Sequence, residues 1–423
     1  MGRFWCFLCV LGICLTGCHP KQETDKLFLK RKASETGIFF TNELTNTPDL
    51  NILTYLYFYN GAGVAAGDFN NDGLVDLYFT SNQESDRLYL NKGDFKFEEI
   101  TKVSGIRNSQ GWTTGVTHVD INNDGWLDIY VCKVGRYKNI KGNNLLFINQ
   151  GLDENGIPSF KEEAHAYNLD FSGFATQAAF FDYDLDGDLD MYLLNHSTNP
   201  NRSYGKGSKR KLVDSMSGDR LYRNDMGKFI DASEGSGIFQ GSIGYGLGIG
   251  ISDVNNDRYP DIYVGNDFFE NDYFYINQKD GTFKEIISTD VQKMGHTSHF
   301  SMGNAIADIN NDGWMDILSL DMLPENLETY KTSGLEYPYP VYEQYLKTGF
   351  APQYIQNNLY LNRFGEFFSE MAHLSGVAAT EWSWGALLAD FDNDGHTDPF
   401  VANGIKGATN DMDLISFIDN EKN

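Results

Sequence analysis

Six short segments of the chain place acidic side chains at one recurring spacing that suits a metal ion. Each segment has carboxylates at positions 1, 5 and 9 and an Asn or Asp at position 3. Oxygen ligands at alternate residues of a tight loop can converge on one point, and hard oxygens at this density suit Ca²⁺. Zinc would favour His or Cys, and none stands at these four positions.

We therefore predict up to six structural Ca²⁺ ions, one in each loop. The predicted ligands of the first three loops are Asp68, Asn70, Asp72 and Asp76; Asp120, Asn122, Asp124 and Asp128; and Asp182, Asp184, Asp186 and Asp190. Those of the last three are Asp253, Asn255, Asp257 and Asp261; Asp308, Asn310, Asp312 and Asp316; and Asp390, Asp392, Asp394 and Asp398. Solvated Asx-rich turns are the alternative interpretation, but six copies of one ligand spacing favour metal. Like-charge repulsion would also destabilise a metal-free loop.

The sixth position of each loop needs a permissive backbone, and Gly occupies it in five loops. Arg258 replaces Gly in the fourth loop, so we expect that loop to bind metal weakly or not at all. An EF-hand would have Glu at position 12, whereas these loops continue into aromatic and β-branched runs such as LYFTS and IYVCK. Each loop therefore joins two strands.

The sequences that flank the six loops repeat as well. A Gly-rich apolar strand precedes each loop, a second strand follows it, and third strands such as residues 87–91 and 358–362 come next. Fourth strands follow, as in KFEEIT and KFIDAS. Four strands separated by turn signals indicate a propeller blade. We predict an all-β fold, a β-propeller of four-stranded blades with a Ca²⁺-binding loop between strands 1 and 2 of each blade.

An aromatic residue lies eight positions before the first Asp in five of the six copies: Trp112, Phe174, Tyr245, Phe300 and Trp382. Together with the Gly-rich strand and the D-x-[DN]-x-D-G-x-x-D loop, it resembles the FG-GAP repeat of integrin α-subunit propellers and the bacterial VCBS-type relatives. The segments YNGAGVAAGDFNNDGLVD, DMLPEN and EWSWGALLADFDNDG look more closely like the cartilage acidic protein and ASPIC/UnbV group. The resemblance covers about residues 34 to 405.

The resemblance implies seven blades and, in longer members, a C-terminal ASPIC/UnbV domain, whereas this chain shows six loops. Residues 27–44 read like a third and a fourth strand and would complete the sixth blade of a six-bladed ring. The other account is a truncated seven-bladed propeller, which we favour because the family resemblance continues almost to the last residue. In either case the last blade would expose a strand edge whose unpaired backbone groups could pair with another chain. We assign residues 34–410 to the propeller and 411–423 to a short, truncated tail.

The first residues read as a signal for export. Arg3 precedes an apolar run over residues 4–15, which is too short for a transmembrane helix, and the stretch LTGC ends at Cys18. This stretch resembles the lipobox of bacterial lipoproteins, which implies a signal peptide at 1–17, a lipid on Cys18 and a tether and start of the first strand region at 18–33. An ordinary secretory signal is the alternative. We expect an exported lipoprotein of the cell envelope, at the bacterial outer membrane or cell surface.

Charge and cysteine content restrict the function further. Acidic residues outnumber basic residues 59 to 33, giving a net charge of −26, so nucleic-acid binding is disfavoured. We interpret the basic cluster Lys206, Lys209, Arg210 and Lys211 as a solvated loop. Four of the five cysteines precede residue 19, so Cys132 has no intramolecular disulfide partner. A structural metal could then stabilise an exported domain that lacks disulfides.

No recognisable catalytic constellation accompanies these features, so we predict a binding protein rather than an enzyme. His296 and His299 lack an acidic or nucleophilic partner at a known spacing. The aromatic series could line the channel as a sugar-stacking ring, but we favour packing between adjacent blades. Two long insertions, residues 196–218 and the Tyr-rich 321–357, fall between second and third strands, on the face opposite the acidic loops.

We therefore expect an adhesion, binding or scaffold module for a protein or glycan ligand, attached to the membrane through its lipid only. A carbohydrate-active lyase or hydrolase on a calcium-loop propeller is one alternative, and it would need charged residues that converge at the channel mouth. A remnant of a longer ASPIC/UnbV protein is another.

Overall fold

The computed structural model describes residues 26–108, 111–198, 205–333, 338–404 and 411–412. The predicted signal peptide and Cys18 lie outside the described residues, as does most of the predicted tail. Within the described ranges the chain forms six consecutive antiparallel sheets whose strands pair in sequence order, interrupted in the fifth by a short parallel pair.

The first five sheets are four-stranded blades. Blade 1 comprises β1 (Val64–Gly67), β2 (Asp76–Phe79), β3 (Arg87–Asn91) and β4 (Phe97–Glu99); blade 2 comprises β5 (Trp112–Val119), β6 (Asp128–Val134), β7 (Leu145–Leu152) and β8 (Pro158–Glu162). Blade 3 comprises β9 (Ala175–Phe181), β10 (Asp190–Asn195), β11 (Arg220–Asn224) and β12 (Phe229–Asp231); blade 4 comprises β13 (Gly246–Ser252), β14 (Asp261–Asn266), β15 (Tyr273–Asn277) and β16 (Phe283–Glu285).

Blade 5 is interrupted by an insertion. Its strands are β18 (Asn304–Ala307), β19 (Asp316–Ser319), β21 (Asn358–Arg363) and β22 (Phe367–Glu370), and the short strands β17 (Thr297–Ser298) and β20 (Gln353–Tyr354) pair in parallel beside it. Blade 6 has two strands among the described residues, β23 (Ser383–Ala389) and β24 (Asp398–Asn403). The predicted four-stranded blades, with an acidic loop between the first and second strands, are confirmed.

The helices are short and lie between strands. They are α1 (Ala33–Thr36), α2 (Ala164–Tyr167), α3 (Leu327–Thr332), α4 (Tyr339–Lys347) and α5 (Ala372–Ser375), with 3₁₀-helices at Leu56–Tyr59 and Gly207–Lys211. The interpretation of residues 27–44 as two strands is wrong, because α1 is the one regular element assigned within that segment. A strand needs a hydrogen-bonded neighbour, and no third strand of blade 6 is present among the described residues to supply one.

The core consists of apolar layers between neighbouring blades. Most of the largest buried side chains lie on the second and third strands, since both faces of a middle strand pack against other sheets. One layer between blades 1 and 2, for example, contains Phe69, Tyr78, Ile129 and Phe160. Close packing of the first strands continues from each blade to the next, in the order β1, β5, β9, β13, β18 and β23.

Three of the aromatic residues that precede the acidic loops are buried against residues 55–58, a contact that the sequence did not predict. Trp112, Phe174 and Tyr245 join one apolar cluster with the segment at residues 55–58. The ring of Tyr55 lies 5.5 Å from that of Trp112, centroid to centroid, in an edge-on contact. Packing rather than sugar stacking is therefore confirmed for these three residues, but much of it is against this inserted segment and not only between blades.

Candidate metal centres

The first carboxylate of every acidic loop accepts the same two backbone hydrogen bonds. In the first loop, Oδ1 of Asp68 accepts from the N–H of Asp72 at 3.1 Å and Oδ2 accepts from the N–H of Gly73 at 2.8 Å. The other five loops repeat both bonds. The side chain at position 1 therefore closes the turn, as in an Asx-turn, and holds its oxygens toward the loop interior.

The backbone of the loop explains the residue preference at position 6. This position has a positive φ in all six loops, between 76° at Arg258 and 100° at Gly187. Gly adopts such a φ readily, whereas a side chain makes it costly. The N–H of Arg258 still binds Oδ2 of Asp253 at 2.6 Å, so the fourth loop keeps the common frame. Weak metal binding by this loop remains a prediction.

The carboxylate at position 9 ties the loop to the third strand. Asp76 is fully buried; its Oδ2 accepts from the N–H of Phe69 at 3.0 Å and its Oδ1 accepts from the N–H of Asn91 at 2.8 Å. The same pair of bonds recurs in loops 2 to 5. Burial raises the pKa of Asp76 to about 6 and that of Asp128 to about 7, because a charged carboxylate loses hydration there.

The Asn that ends each third strand has a role that its place in the sequence did not predict. Beyond its bond to position 9, Asn149 donates through its side chain to the carbonyl oxygen of Phe69 in the preceding loop, at 2.9 Å. Asn277 and Asn362 reach the preceding loops in the same way. The recurring strand ends LYLN, LFIN, LYRN and YIN show this Asn in the sequence. Its role is explained only by its contact with the preceding loop in the folded protein.

Two loops bring three carboxylates to a single point. One oxygen each of Asp182, Asp184 and Asp190 lie within 4.8 Å of one another, and Asp390, Asp392 and Asp398 form the same group in the sixth loop. The buried Oδ1 of Asp184 has no hydrogen-bond partner, which leaves an oxygen to be satisfied. These carboxylates fit a hard cation and could hold one.

The four remaining loops have Asn at position 3. There the amide oxygen accepts from the N–H of position 5, as Asn70 does from Asp72 at 3.2 Å. The predicted ligands at positions 1, 3, 5 and 9 are thus neighbours in all six loops, and their side chains offer only carboxylate and amide oxygens. The structure places each predicted ligand residue in its loop, while ligation itself stays a prediction.

The described parts of the two long insertions, within residues 196–218 and 321–357, contact each other, and we call the two together the cap. This contact changes the interpretation of the basic cluster. The N–H of Gly207 donates to the carbonyl oxygen of Thr348 at 2.9 Å. Arg210 is buried, where it pairs with the buried Glu270 at 2.8 Å and donates to the carbonyl oxygen of Gly349. The prediction of a solvated loop is therefore wrong for Arg210, which is one of the side chains that fix this cap.

The cap also exposes two tyrosines among its described residues. Tyr339 is 69% exposed and Tyr354 is 47% exposed, and the ring of Tyr354 stacks against that of Tyr342 with centroids 6.1 Å apart. Tyr345, by contrast, is buried and stacks on Phe350 at 4.4 Å. The Tyr-rich insertion therefore serves two purposes, because some rings anchor it and others face solvent.

His299, one of the two histidines considered for catalysis, is built into the packing, whereas His296 is half-buried. His299 is buried, and its Nδ1 lies 2.8 Å from Oε1 of Gln353. Burial lowers the pKa of His299 to about 4, since the charged imidazole would lose hydration. Its backbone N–H donates to the buried carboxylate of Asp321 at 2.9 Å. A neutral, enclosed imidazole of this kind orders the start of blade 5.

Comparison with known proteins supports the repeat assignment. A family model of an FG-GAP-like repeat matches residues 68–131 and 253–319. Human cartilage acidic protein 1 is 31% identical over 137 residues, which cover 32% of this chain and 20% of that protein. The Xenopus tropicalis protein is 29% identical over 135 residues, with the same coverage. The match thus spans only a fifth of the length of these relatives.

Similarity to solved structures is weaker. The Escherichia coli aldose sugar dehydrogenase aligns with a TM-score of 0.40 and 12% identity, over 81% of this chain and 92% of that one. An Agrocybe aegerita lectin specific for non-reducing terminal N-acetylglucosamine aligns with a TM-score of 0.36 and 15% identity, over 80% and 70%. The chain thus carries FG-GAP-like repeats at residues 68–131 and 253–319, is similar to cartilage acidic protein 1 over 137 residues, and repeats one loop frame in all six acidic loops.

Proposed function

We propose that the protein is an exported, lipid-anchored β-propeller that binds Ca²⁺ in its six acidic loops and captures a protein or glycan ligand. The observation that carries the proposal is the repetition of one carboxylate frame in all six loops, down to the two backbone bonds at position 1. Turns that only face solvent would not require the same four oxygen-bearing side chains at the same spacing in all six loops.

Calcium would balance the carboxylates of these loops, of which the fourth already has the Lys279 ammonium 3.2 Å from Asp257. Positions 1, 5 and 9 are acidic in every loop, and burial already raises the pKa of Asp76, Asp128, Asp190 and Asp261. The chain's own contribution is to orient the oxygens through backbone bonds and to tie each loop to its third strand. A cation that binds only this folded arrangement must raise the stability of the protein.

The test is a thermal melt of residues 19–423 in excess EDTA and across a Ca²⁺ titration, with Mg²⁺ for comparison. We expect a cooperative transition that rises by many degrees with Ca²⁺ and far less with Mg²⁺, which demands a tighter octahedral site. Asp186→Asn should reduce the rise, because position 5 is Asp in all six loops, whereas Asp188→Asn makes the same charge change in the same loop at a position that is not a predicted ligand. Equal melts in EDTA and Ca²⁺ would reject calcium binding.

The ligand surface that we propose is the cap formed by the two insertions, on the face opposite the acidic loops. Support comes from the exposed rings of Tyr339 and Tyr354 and from the half-buried Tyr342 that stacks on Tyr354, since aromatic side chains are enriched at recognition surfaces. A glycan array and a panel of envelope proteins would be probed with the triple Tyr→Ser variant. Phe364→Ser is the matched control, because it removes an exposed aromatic beside Trp314 of the fifth loop.

Unchanged binding by the triple variant, with loss in the Phe364 control, would move the site to the loop face.

We also propose that the protein has no enzymatic activity, which the enclosed, neutral His299 supports. Incubation with polysaccharides of defined linkage should release no new reducing ends or unsaturated products. Release that is abolished by a single substitution near the channel would overturn this part of the proposal.

The proposed location rests on the first residues of the sequence. No described helix is long and apolar enough to cross a membrane. We propose attachment through lipid on Cys18, which is tested by detergent phase partitioning of the full chain and of Cys18→Ala expressed in a bacterium. The wild type should enter the detergent phase and the variant should remain aqueous. Equal partitioning would leave the ordinary secretory signal as the explanation.

A further inference from the structure

Three buried polar side chains meet between blades 1 and 2, at the ends of the strands away from the acidic loops. They are Asp86, directly before β3, Asn108, in the segment that joins blade 1 to blade 2, and Lys133, on β6. Asp86 is 1% exposed, Asn108 6% and Lys133 3%. Because the three residues belong to different elements, the fold rather than the local sequence brings them together. None of them takes part in the calcium, ligand or lipid proposals.

The side-chain amide of Asn108 lies between the other two groups. Nζ of Lys133 donates to Oδ1 of Asn108, and Nδ2 of Asn108 donates to Oδ2 of Asp86 at 2.5 Å. Nδ2 also donates to the hydroxyl of Thr113 at 3.2 Å. A nitrogen that hydrogen-bonds the amide oxygen is also close to the amide carbon, because a C=O bond of about 1.2 Å separates those two atoms. An amine, an amide carbon and a carboxyl group are therefore arranged in that order within one buried cluster.

The repeat itself does not require a lysine at this position. Lys133 comes five residues after the position-9 carboxylate of its loop. In the other four-stranded blades the corresponding residue is shorter and never basic: Ser81, Asn195, Asn266 and Asp321. Two glycines make room for the longer side chain, since a Cβ on Gly111 would lie 3.1 Å from Cε of Lys133 and one on Gly142 would lie 3.5 Å from it. Burial of an amine is costly, so this departure from the repeat calls for a reason.

Burial also brings the protonation states of the two outer groups toward those that a reaction needs. It lowers the pKa of Lys133 to about 8 and raises the pKa of Asp86 to about 6, because both charged forms lose hydration. A fraction of the molecules at neutral pH therefore holds an uncharged amine near a protonated carboxyl. An uncharged lysine nitrogen is a nucleophile, and a protonated carboxyl is a general acid. The unreactive alternative is a buried ion pair that the amide of Asn108 bridges.

We propose that Lys133 and Asn108 react with each other to form an isopeptide cross-link, with Asp86 as the group that transfers the proton. Nζ of Lys133 attacks Cγ of Asn108, a new C–N bond forms, and the bond between Cγ and Nδ2 breaks. The carboxyl of Asp86 gives a proton to Nδ2, which leaves as ammonia, and the proton that Nζ loses restores the carboxyl. One amine and one primary amide become one secondary amide and one ammonia, so the step needs no further reactant.

The cross-link gives the fold a covalent closure that its cysteines do not supply, since Cys132 is buried as a free thiol. It joins the segment between blades 1 and 2 to the second strand of blade 2. A cross-link of this kind stabilises a fold mainly by restricting the unfolded chain, as a disulfide does. The burial of all three side chains keeps water from the reacting amide, so aminolysis is favoured over hydrolysis. This inference does not depend on calcium binding, the ligand surface or the lipid.

The cross-link is tested by mass spectrometry of peptides from residues 19–423 that are digested after denaturation. In an unmodified chain trypsin releases peptide 108–133, because no Lys or Arg lies between Arg107 and Lys133. We expect peptide 108–136, lighter by one ammonia, to replace most of it, since trypsin does not cut after an acylated lysine. Chymotrypsin, which cuts this product after Trp112 and Tyr130, should leave two peptides joined through Asn108 and Lys133. Peptide 108–133 of unchanged mass from the folded wild type would overturn the proposal.

Two variants separate the reaction from packing. Lys133→Arg keeps a basic side chain but removes the nucleophile, so peptide 108–133 should return without loss of ammonia. Asp86→Asn places an amide where blade 2 has Asn144, and it should slow cross-linking roughly a hundredfold in a time course after cell-free synthesis, because the acid is lost. Cross-linking of Asp86→Asn at the wild-type rate would remove Asp86 from the reaction.

A succinimide at Asn108 is the competing reaction that also releases ammonia. It leaves Lys133 unmodified, so trypsin would still cut after this residue and the lighter product would end at position 133. That result would overturn the cross-link, as would an ammonia loss that persists unchanged in Lys133→Arg.

Discussion

The side-chain amide of Asn71 donates a hydrogen bond to the carbonyl oxygen of Gly125, 3.0 Å away, and so joins the first acidic loop to the second. Asn256 and Asn311 make the same bond to the fifth and sixth loops. The N–H of Gly125 in turn binds the first carboxylate of its own loop. These bonds therefore connect the ligand frames of neighbouring loops.

Replacement of Asn71 by Gly should weaken the contact between loops without straining the backbone. Asn71 has a φ of 55°, which Gly adopts easily, so the main loss is one hydrogen bond worth about 1 kcal/mol. Asn123→Gly is the matched control, because Asn123 has a φ of 56° and makes no such bond to the third loop among the described residues. Urea denaturation in EDTA measures both, and equal effects would show that the contact contributes nothing.

Replacement of Arg258 by Gly should stabilise the protein. Arg258 is held at a φ of 76°, which costs an L-residue on the order of 1 kcal/mol, and Gly removes that strain. The reverse change, Gly313→Arg in the fifth loop, should cost a similar amount, because a Cβ there would meet no atom within 4 Å and only the backbone is strained. Melting temperatures of both variants in EDTA provide the measurement. Destabilisation by Arg258→Gly would mean that the arginine side chain makes a compensating contact.

The acidic loops, the blades and both insertions could be predicted because each depends on local spacing. Carboxylates at positions 1, 5 and 9 and runs of β-branched residues carry their meaning within about ten residues. The packing of residues 55–58 against Trp112 and Tyr245 could not be predicted, since it joins residues far apart in sequence without any shared period. Arg210 was misread for the same reason, because Glu270, which buries it, lies 60 residues away.

A second repeated bond, on the face opposite the loops, also escaped the sequence analysis. The residue before each third strand, Asp219 in blade 3, accepts from the N–H of Asn195 at 2.8 Å and from the hydroxyl of Tyr192 at 2.8 Å. In blade 2 this position is Asn144, which accepts from the N–H of Lys133 and binds the hydroxyl of Tyr130. Blade 2 thus shows that an uncharged amide can contact both groups, with its Nδ2 donating to the hydroxyl oxygen where Asp219 accepts from the hydroxyl.

Replacement of Asp219 by Asn should therefore raise stability at high pH. Burial raises the pKa of Asp219 to about 7, so the folded protein holds a proton that the unfolded chain releases near pH 4. Stability from this group is then present below about pH 4 and declines as the pH rises toward 7. Asp219→Asn should gain on the order of 1–2 kcal/mol over wild type at pH 8 and little at pH 4.5.

Urea denaturation in EDTA at the two pH values measures this difference, since all other titrating groups are common to both proteins. Asp219→Ala is the control, because it leaves the Tyr192 hydroxyl and the Asn195 N–H without their partner and should destabilise at both pH values. A gain of equal size at pH 4.5 and pH 8 would show that the charge of Asp219 is not its cause.

The buried pair Arg210 and Glu270 should hold the cap in place. Glu270→Gln should destabilise the protein by about 3–5 kcal/mol, because it leaves the guanidinium of Arg210 buried without a counter-charge. The double variant Arg210→Met with Glu270→Leu should recover much of that loss, since apolar side chains of similar volume need no pairing. A double-mutant cycle by urea denaturation measures the coupling.

Limited proteolysis separates a local from a global effect of breaking this pair. Trypsin can cut after Lys206, Lys209 and Lys211, which lie in the insertion that Arg210 anchors against Gly349. In Glu270→Gln these sites should be cleaved sooner than any site in the blades, because the insertion loses its anchor while the sheets keep their hydrogen bonds. Simultaneous cleavage throughout the chain would show that the pair supports the whole ring. Cleavage at the wild-type rate would show that Gly207 and its bond to Thr348 are enough to hold the cap in place.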